Sequence, residues 1–373
     1  MRGVEMLDAL KLNLSFEQLK EPGFKVLGKI LFVTDLHWLL QFISKNRDNT
    51  KLRLQQKSIQ AGLLLLVKTY DIKYVILLGD IFNAGVEQQD TEAMEDALEF
   101  FTELNEVAEV YTNFGNHEWT YGEYNPFYLY TKIEHPVVKE ILEEAKFKPR
   151  KMMAPLMKCV SMLDFGNVHI HFIPYHPRVR DFVVQDNSNT YNIGVFHNDY
   201  ITAESQQYYF HHKAGHGISI YGSNLFNWLD AAVFGHLHKP FTTFNLGNMR
   251  NTRCFIPGAT CQRAIDEVHS NVKLPLLLIG EEQVEFTEVN FNLGNIEETV
   301  KQEIVEKERK KRTTRKFVKK NATTTKSLVL ENLLDVVEIP QVRTIIAEAD
   351  EYKPPISVQR YYNPSMFGID RNN

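Results

Sequence analysis

The chain has 373 residues, 43% of them hydrophobic and 24% charged, the balance of a soluble globular protein with either two domains or one large core and an appendage. Its three cysteines, Cys159, Cys254 and Cys261, include no C-x-x-C pair, which argues against a disulfide scaffold and for a reducing compartment. A net charge of −5 does not by itself point to nucleic acid, and the longest apolar run, AGLLLLV at 61–67, is far too short to span a membrane.

Residues 1–20 carry acidic side chains and no long apolar stretch, unlike a secretory signal; residues 1–27 read as an N-terminal extension. GKILFVTD (28–35) is apolar and bounded by Gly and Asp, like a buried strand. Residues 51–70 predict a helix, with Leu54, Ile59, Leu63, Leu66 and Val67 near a 3.6-residue period. KYVILLGD (73–80) is a second buried strand. Residues 90–107 predict a second helix, opened by an Asp-Thr-Glu stretch. AEVYTNFGN (108–116) is a third strand. Strand, helix, strand, helix, strand predicts a parallel α/β sheet.

Further along, residues 155–175 read as two strands around Gly166-Asn167, a hairpin dipeptide. TYNIGVFHND (190–199) and DAAVFGHLHKPF (230–241) are apolar strands ending in polar residues, and strands continue through RCFIPGATC and KLPLLLIGEEQVEFTEVNF. The reading is a two-sheet α/β core over 28–293, followed by a basic, helical C-terminal segment, 294–373. Within that segment, 307–320 (KERKKRTTRKFVKK) holds nine Lys or Arg and one Glu. Such a block is either a solvated arm or helix face, or an anion-binding one. SLVLENLLDVV (327–337) has an apolar face at helical spacing and is stopped by Pro340.

The expected strands end in polar clusters: Asp35-Leu36-His37, Gly79-Asp80, Gly115-Asn116-His117, His197-Asn198-Asp199 and Gly235-His236-Leu237-His238. Ligands gather beyond the carboxyl ends of strands in open α/β sheets. Asp and His are ligands for first-row metals. In D-x-H and H-x-H both side chains leave the same face of an extended segment. A carboxylate such as Asp80 can bridge two ions, and Asn116 offers a neutral oxygen. Glycines before Asp80, Asn116 and His236 suit tight turns or close backbone approach. Each cluster alone is commonplace; the set at strand ends points to one two-metal site that attracts a phosphate diester.

The ordered set D-x-H, GD, GNH, H and G-H-x-H resembles the calcineurin-like metallophosphoesterase superfamily, over roughly residues 28–290. The resemblance implies a double β-sheet sandwich flanked by helices. By motif position it implies one metal held by Asp35, His37, Asp80 and His238, and another by Asp80, Asn116, His197 and His236. It implies that His117 contacts the phosphate and protonates the leaving oxygen, a task that suits an imidazole. Glu118 and Asp199 either orient ligands or serve as turn and capping groups. His211, His212 and His216 lie outside the motif, as surface histidines or further ligands.

Within the superfamily, IPYHPRVRD (173–181) and PGATCQRAIDE (257–267) resemble segments of SbcD-type DNA nuclease subunits, including bacteriophage relatives. That likeness implies a Mn-dependent exonuclease or endonuclease in DNA recombination and repair. Its partners are DNA and an SbcC-like SMC-type ATPase, with a homodimer left open and no membrane. Its location is the cytoplasm, the host's if phage-encoded. Arg309, Lys310, Lys311, Arg312, Arg315 and Lys316 would meet backbone phosphates, and 327–337 would dock on the ATPase coiled coil or pack on its own core. Asn83 departs from relatives with a His three residues after the GD aspartate, which puts a second phosphate-contacting imidazole in doubt. Two other readings stand: a small-molecule phosphodiesterase or protein phosphatase on the same core, and a non-catalytic binding scaffold.

Overall fold

The computed structural model describes residues 22–38, 49–83, 91–120, 125–148, 155–175, 190–198, 224–248, 250–261 and 271–292. The chain divides into two compact units, Met1–Ile304 and Val305–Asn373; the second lies wholly outside the described residues, and with it the basic segment and the helix expected at 327–337.

Every residue from Ile30 to Val33 in β1 (Gly28–Val33) is buried, because this strand is covered on both faces. Side chains alternate along a strand. Ile30 and Phe32 point between the two sheets, with Ile76, Val195, Val233 and Phe255. Leu31 and Val33 point the other way, towards Ile59, Leu63, Phe100 and Phe101 of two helices. Those helices are α1 (Asn49–Thr69) and α2 (Thr91–Val107), where the sequence predicts them, the first from its 3.6-residue period and the second from its Asp-Thr-Glu start. Ile59, Leu63, Leu66 and Val67 are all buried.

Between them run β2 (Tyr74–Leu77) and β3 (Glu109–Thr112), parallel to β1 in the order β1-β2-β3. This is the expected strand-helix repeat. The next stretch was not legible. It holds two short helices, α3 (Asn116–Thr120) and α4 (Phe127–Tyr130), then β4 (Thr131–Ile133) and α5 (Pro136–Glu144). These pieces are too short to display a period.

Residues 155–175 correct the two-strand expectation. They form three strands: β5 (Met157–Cys159), β6 (Met162–Asp164) and β7 (Val168–Ile173). The hairpin around Gly166-Asn167 is present, with Asp164 opposite His169 and Gly166 at φ 82°. However, β5 leaves it and pairs in parallel with β3 and β4 in the first sheet. A three-residue strand carries no pattern that distinguishes it from the start of its neighbour.

Beyond these come β8 (Tyr191–Phe196), β9 (Ala231–Phe234), β10 (Phe241–Asn245), β11 (Arg253–Ile256), β12 (Asn271–Ile279) and β13 (Val284–Asn292). The seven-stranded sheet runs β13-β12-β1-β2-β3-β5-β4, and the six-stranded sheet runs β10-β11-β9-β8-β7-β6. Both are mixed: β12 is antiparallel to β1, and β6 and β10 are antiparallel to their neighbours. The architecture is a two-sheet α/β sandwich with helices packed on the outer face of the first sheet. Asn113, buried just past β3, ties the layers by donating to the carbonyls of Ile173 (2.9 Å) and Val195 (3.1 Å). No helix among the described residues is long and apolar enough to cross a membrane.

Candidate metal centre

The carboxyl ends of β1, β2, β3, β8 and β9 converge, and each delivers one of the polar clusters. Ligand atoms of Asp35, His37, Asp80 and His238 lie within 4.8 Å of one another, as do those of Asp80, His197 and His236. Asp80 belongs to both groups. Asn116 joins the second, its Oδ1 being 3.0 Å from His197 Nε2 and 2.8 Å from His236 Nδ1. All seven side chains expected to bind metal are therefore brought together, along with His117. Asp199, His211, His212 and His216 lie outside the described residues, as do Arg309, Lys310, Lys311, Arg312, Arg315 and Lys316.

The backbone bends sharply to achieve this. Among the described non-glycine residues with positive φ are Asp35 (45°), His37 (40°), Asp80 (50°) and His236 (79°). Left-handed backbone at a residue with a Cβ costs energy and persists where surrounding contacts impose it. Here those contacts are hydrogen bonds. His37 N–H donates to the Asp80 carbonyl (2.9 Å) and Trp38 N–H to that of Ile81 (2.6 Å). His236 N–H donates to the Asp35 carboxylate at 3.0 Å, and the Thr34 hydroxyl donates to it as well.

Two glycines are required by close approach. Gly79 sits at φ 103°, and a Cβ there would lie 2.6 Å from His197 Nδ1. A Cβ on Gly115 would lie 2.7 Å from Glu118 Oε2. Glu118 is fully buried. Its carboxylate accepts the N–H groups of Asp80 (3.0 Å), Ile81 (3.0 Å) and Gly115 (2.6 Å). Of the two roles open to Glu118, the geometry shows that of a turn and capping group: it joins the GD loop to the GNH loop through backbone rather than through a ligand side chain. Burial, then the Asp80 charge, push its carboxyl up to about 8, against the N–H donors that favour the anion.

The donor set fits cations. His197 Nδ1 donates to the Leu78 carbonyl at 2.8 Å, which directs the Nε2 lone pair of a neutral ring at Asn116 Oδ1 and at Asp80 Oδ1, 3.2 Å away. The Nε2 atoms of His37 and His238 face each other at 2.8 Å. Contacts of this kind are satisfied by a proton on one of the two nitrogens or by a cation between them. Burial works against an imidazolium at His197, yet the Asp80 carboxylate outweighs it and pushes His197 up to about 10. Burial likewise opposes ionisation of Asp80, and the imidazoles of His197, His117 and His37 hold its carboxyl well below the usual range. A site that favours positive charge this strongly suits metal as well as protons.

His117 differs from the others. Its Nδ1 donates to the Asn83 carbonyl at 3.1 Å, its Nε2 lies 3.8 Å from Asp80 Oδ2, and its side chain is 16% exposed. The ring stands at the rim with one nitrogen fixed and the other turned to the cluster.

Sequence reasoning missed several supports. Thr260 N–H donates to the Thr34 carbonyl (3.0 Å) and Ala259 N–H to that of His238 (2.9 Å), so the PGAT turn after β11 braces two motifs at once. Asn125 Nδ2 donates to the His117 carbonyl (2.9 Å), and the Tyr128 hydroxyl to that of Glu118 (3.1 Å). Only the Gly-containing turn left a sequence signal.

Comparison with solved structures finds similarity to a dimetal phosphatase from Danio rerio, at 8% identity and TM-score 0.39, covering 72% of this chain and 100% of that one. It also finds the calcineurin-like phosphoesterase YfkN from Bacillus subtilis, at 12% identity and TM-score 0.35, covering 74% and 96%. None of the curated proteins matches the chain. The family model described as calcineurin-like phosphoesterase matches residues 28–240. With that match over a chain whose motifs meet in one buried cluster, the protein belongs to the calcineurin-like phosphoesterase family and is a metal-dependent phosphoesterase.

Proposed function

We propose that the chain is a two-metal phosphodiesterase acting on DNA, the Mn-dependent nuclease subunit of an SbcCD-like recombination and repair complex. The single observation that carries the two-metal part is Asp80, which supplies ligand atoms to both clusters. In this reading one ion is held by Asp35, His37, Asp80 and His238, and the other by Asp80, Asn116, His197 and His236. Two such ions would supply Lewis acidity at phosphorus and make a nucleophile derived from water available at neutral pH. The DNA part is supported by the nine basic residues in 307–320 and by the segments at 173–181 and 257–267. A basic segment meets a polyanion better than it meets a small ester.

The chain's own groups have defined tasks. His117, with Nδ1–H held by the Asn83 carbonyl, keeps Nε2 aimed at the cluster; as the imidazolium it passes the Nε2 proton to the departing oxygen and is left neutral. Asp80 and the backbone bonds from Glu118 keep the phosphate-facing loops in register. The buried position of Asp35, Asp80 and His197 excludes bulk water from the ligand atoms.

The test is a gel assay of linear duplex DNA with Mn²⁺, Mg²⁺ or EDTA, beside a chromogenic phosphodiester. Mn²⁺-dependent shortening of DNA is the expected result. His117→Asn is expected to retain metal and lose roughly 10²–10⁴-fold in rate, the usual contribution of general acid–base catalysis. Hydrolysis of the small ester with DNA left intact, with and without an SbcC-like partner, would favour a small-molecule phosphodiesterase.

A further inference from the structure

We infer that Tyr175 is a substrate-specificity residue, its ring packing against a planar group carried by the alcohol esterified to the phosphate; this rests on the phosphoester reading above. Tyr175 follows β7 and lies beside the second cluster. Its ring centroid is 5.9 Å from that of His236, the planes tilted by 33°, and 6.5 Å from that of His197. None of the expected metal ligands comes from β7, so this ring enters the site without a ligand role to explain it.

Three features suit it to contact substrate. First, its backbone is fixed at both ends: Tyr175 N–H donates to the Phe114 carbonyl (2.8 Å), and Trp119 Nε1 donates to the Tyr175 carbonyl (3.2 Å). These partners come from the loop after β3 and from α3, the segment that also carries Asn116 and His117. The ring is thereby held in register with the residues that face the phosphate. A group fixed in advance loses little entropy on binding. Second, Tyr175 is partly exposed, while the strand residues before it, Phe172 and Ile173, are each 2% exposed. Third, its chemistry differs from its surroundings. Carboxylates, imidazoles and cations meet phosphate oxygens; an aromatic face does little for them. What a phenol ring adds is a surface on which a nucleobase or aryl group stacks, and such stacking tolerates any base.

The experiment is equilibrium titration of the full chain with Mn²⁺ present, using thymidine 5′-phosphate and methyl phosphate as probes. Wild type, Tyr175→Phe and Tyr175→Leu are compared by the ratio of the two affinities. Wild type and Tyr175→Phe are expected to prefer the nucleotide by roughly 10-fold, in line with base–aromatic stacking, and Tyr175→Leu to bring the ratio close to one. An unchanged ratio in Tyr175→Leu overturns the inference. So does a ratio lost in Tyr175→Phe as fully as in Tyr175→Leu, which moves the contact to the hydroxyl. Wild-type binding of methyl phosphate with no nucleotide preference overturns the role of Tyr175 and leaves the phosphoester reading intact. Failure of wild type to bind either probe while it still hydrolyses a chromogenic phosphodiester overturns this inference and leaves that reading intact; loss of both overturns the two together.

Discussion

Glu118 accepts three backbone N–H bonds while fully buried, and each of those donors belongs to a loop that ends in an expected ligand. Its removal therefore acts on stability and metal binding together. Glu118→Ala strands three buried donors, at about 1–3 kcal/mol for each unsatisfied group, so a loss of roughly 3 kcal/mol or more is expected in denaturant melts, with weaker metal binding. Unaltered stability would contradict the bonding pattern. At this scale the sequence was informative about chemistry and silent about support. Metal-ligating chemistry demands certain residue types at certain spacings, so the side chains that converge at the strand ends, Asp35, His37, Asp80, Asn116, His197, His236 and His238, could be picked out from the sequence. Thr34, Asn125 and Tyr128 act through local bonds that many residue types make, and nothing in their neighbours marks them.

Elements deliver those residues through turns whose geometry limits substitution. Gly79 lies at φ 103° with His197 Nδ1 only 2.6 Å from where a Cβ would be. Gly79→Ala strains the backbone by about 1–3 kcal/mol and displaces the His197 ring, so it is expected to lower metal occupancy; full occupancy would show that the loop can relax. A different link joins α5 to the second sheet. Buried His135 caps this helix by accepting from Val138 N–H (3.4 Å) while its Nε2 donates to the Phe172 carbonyl (3.0 Å). Accepting at Nδ1 requires a neutral ring, whereas the Nε2 donation is kept when the ring is protonated. Burial lowers its pKa from 6.5, more than the Phe172 bond raises it. The unfolded chain then binds more protons than the native one between the lowered value and 6.5, so stability rises with pH through that window and falls on acidification. His135→Asn keeps a capping oxygen and should flatten the melting temperature between pH 7 and 5 relative to wild type. Parallel curves would remove His135 from the account. The elements β1, β2, α1 and α2 were legible because a continuous apolar run bounded by Gly and Asp marks a strand buried on both faces, and an apolar stripe or an acidic start marks a helix. The pieces between Asn116 and Glu144 are set by tertiary contacts such as these, and β5 was hidden for the same reason.

In the whole molecule, two sheets place five strand ends around one carboxylate, and Asp80 is where the two clusters meet. A two-sheet α/β core was readable from the strand and helix pattern, and its sandwich form came from the family resemblance. Which strand joins which sheet was not, since a parallel partner is chosen by packing across the layers, as with the Asn113 bonds to β7 and β8. The most direct test of the account is metal stoichiometry of the purified chain, by native mass spectrometry and calorimetric titration, for wild type, His238→Ala and Asp80→Asn. Two ions are predicted for wild type, one for His238→Ala, and a loss at both sites for Asp80→Asn. A wild type that binds a single ion, or an Asp80→Asn variant that still binds two with unchanged affinity, would contradict a shared-carboxylate centre.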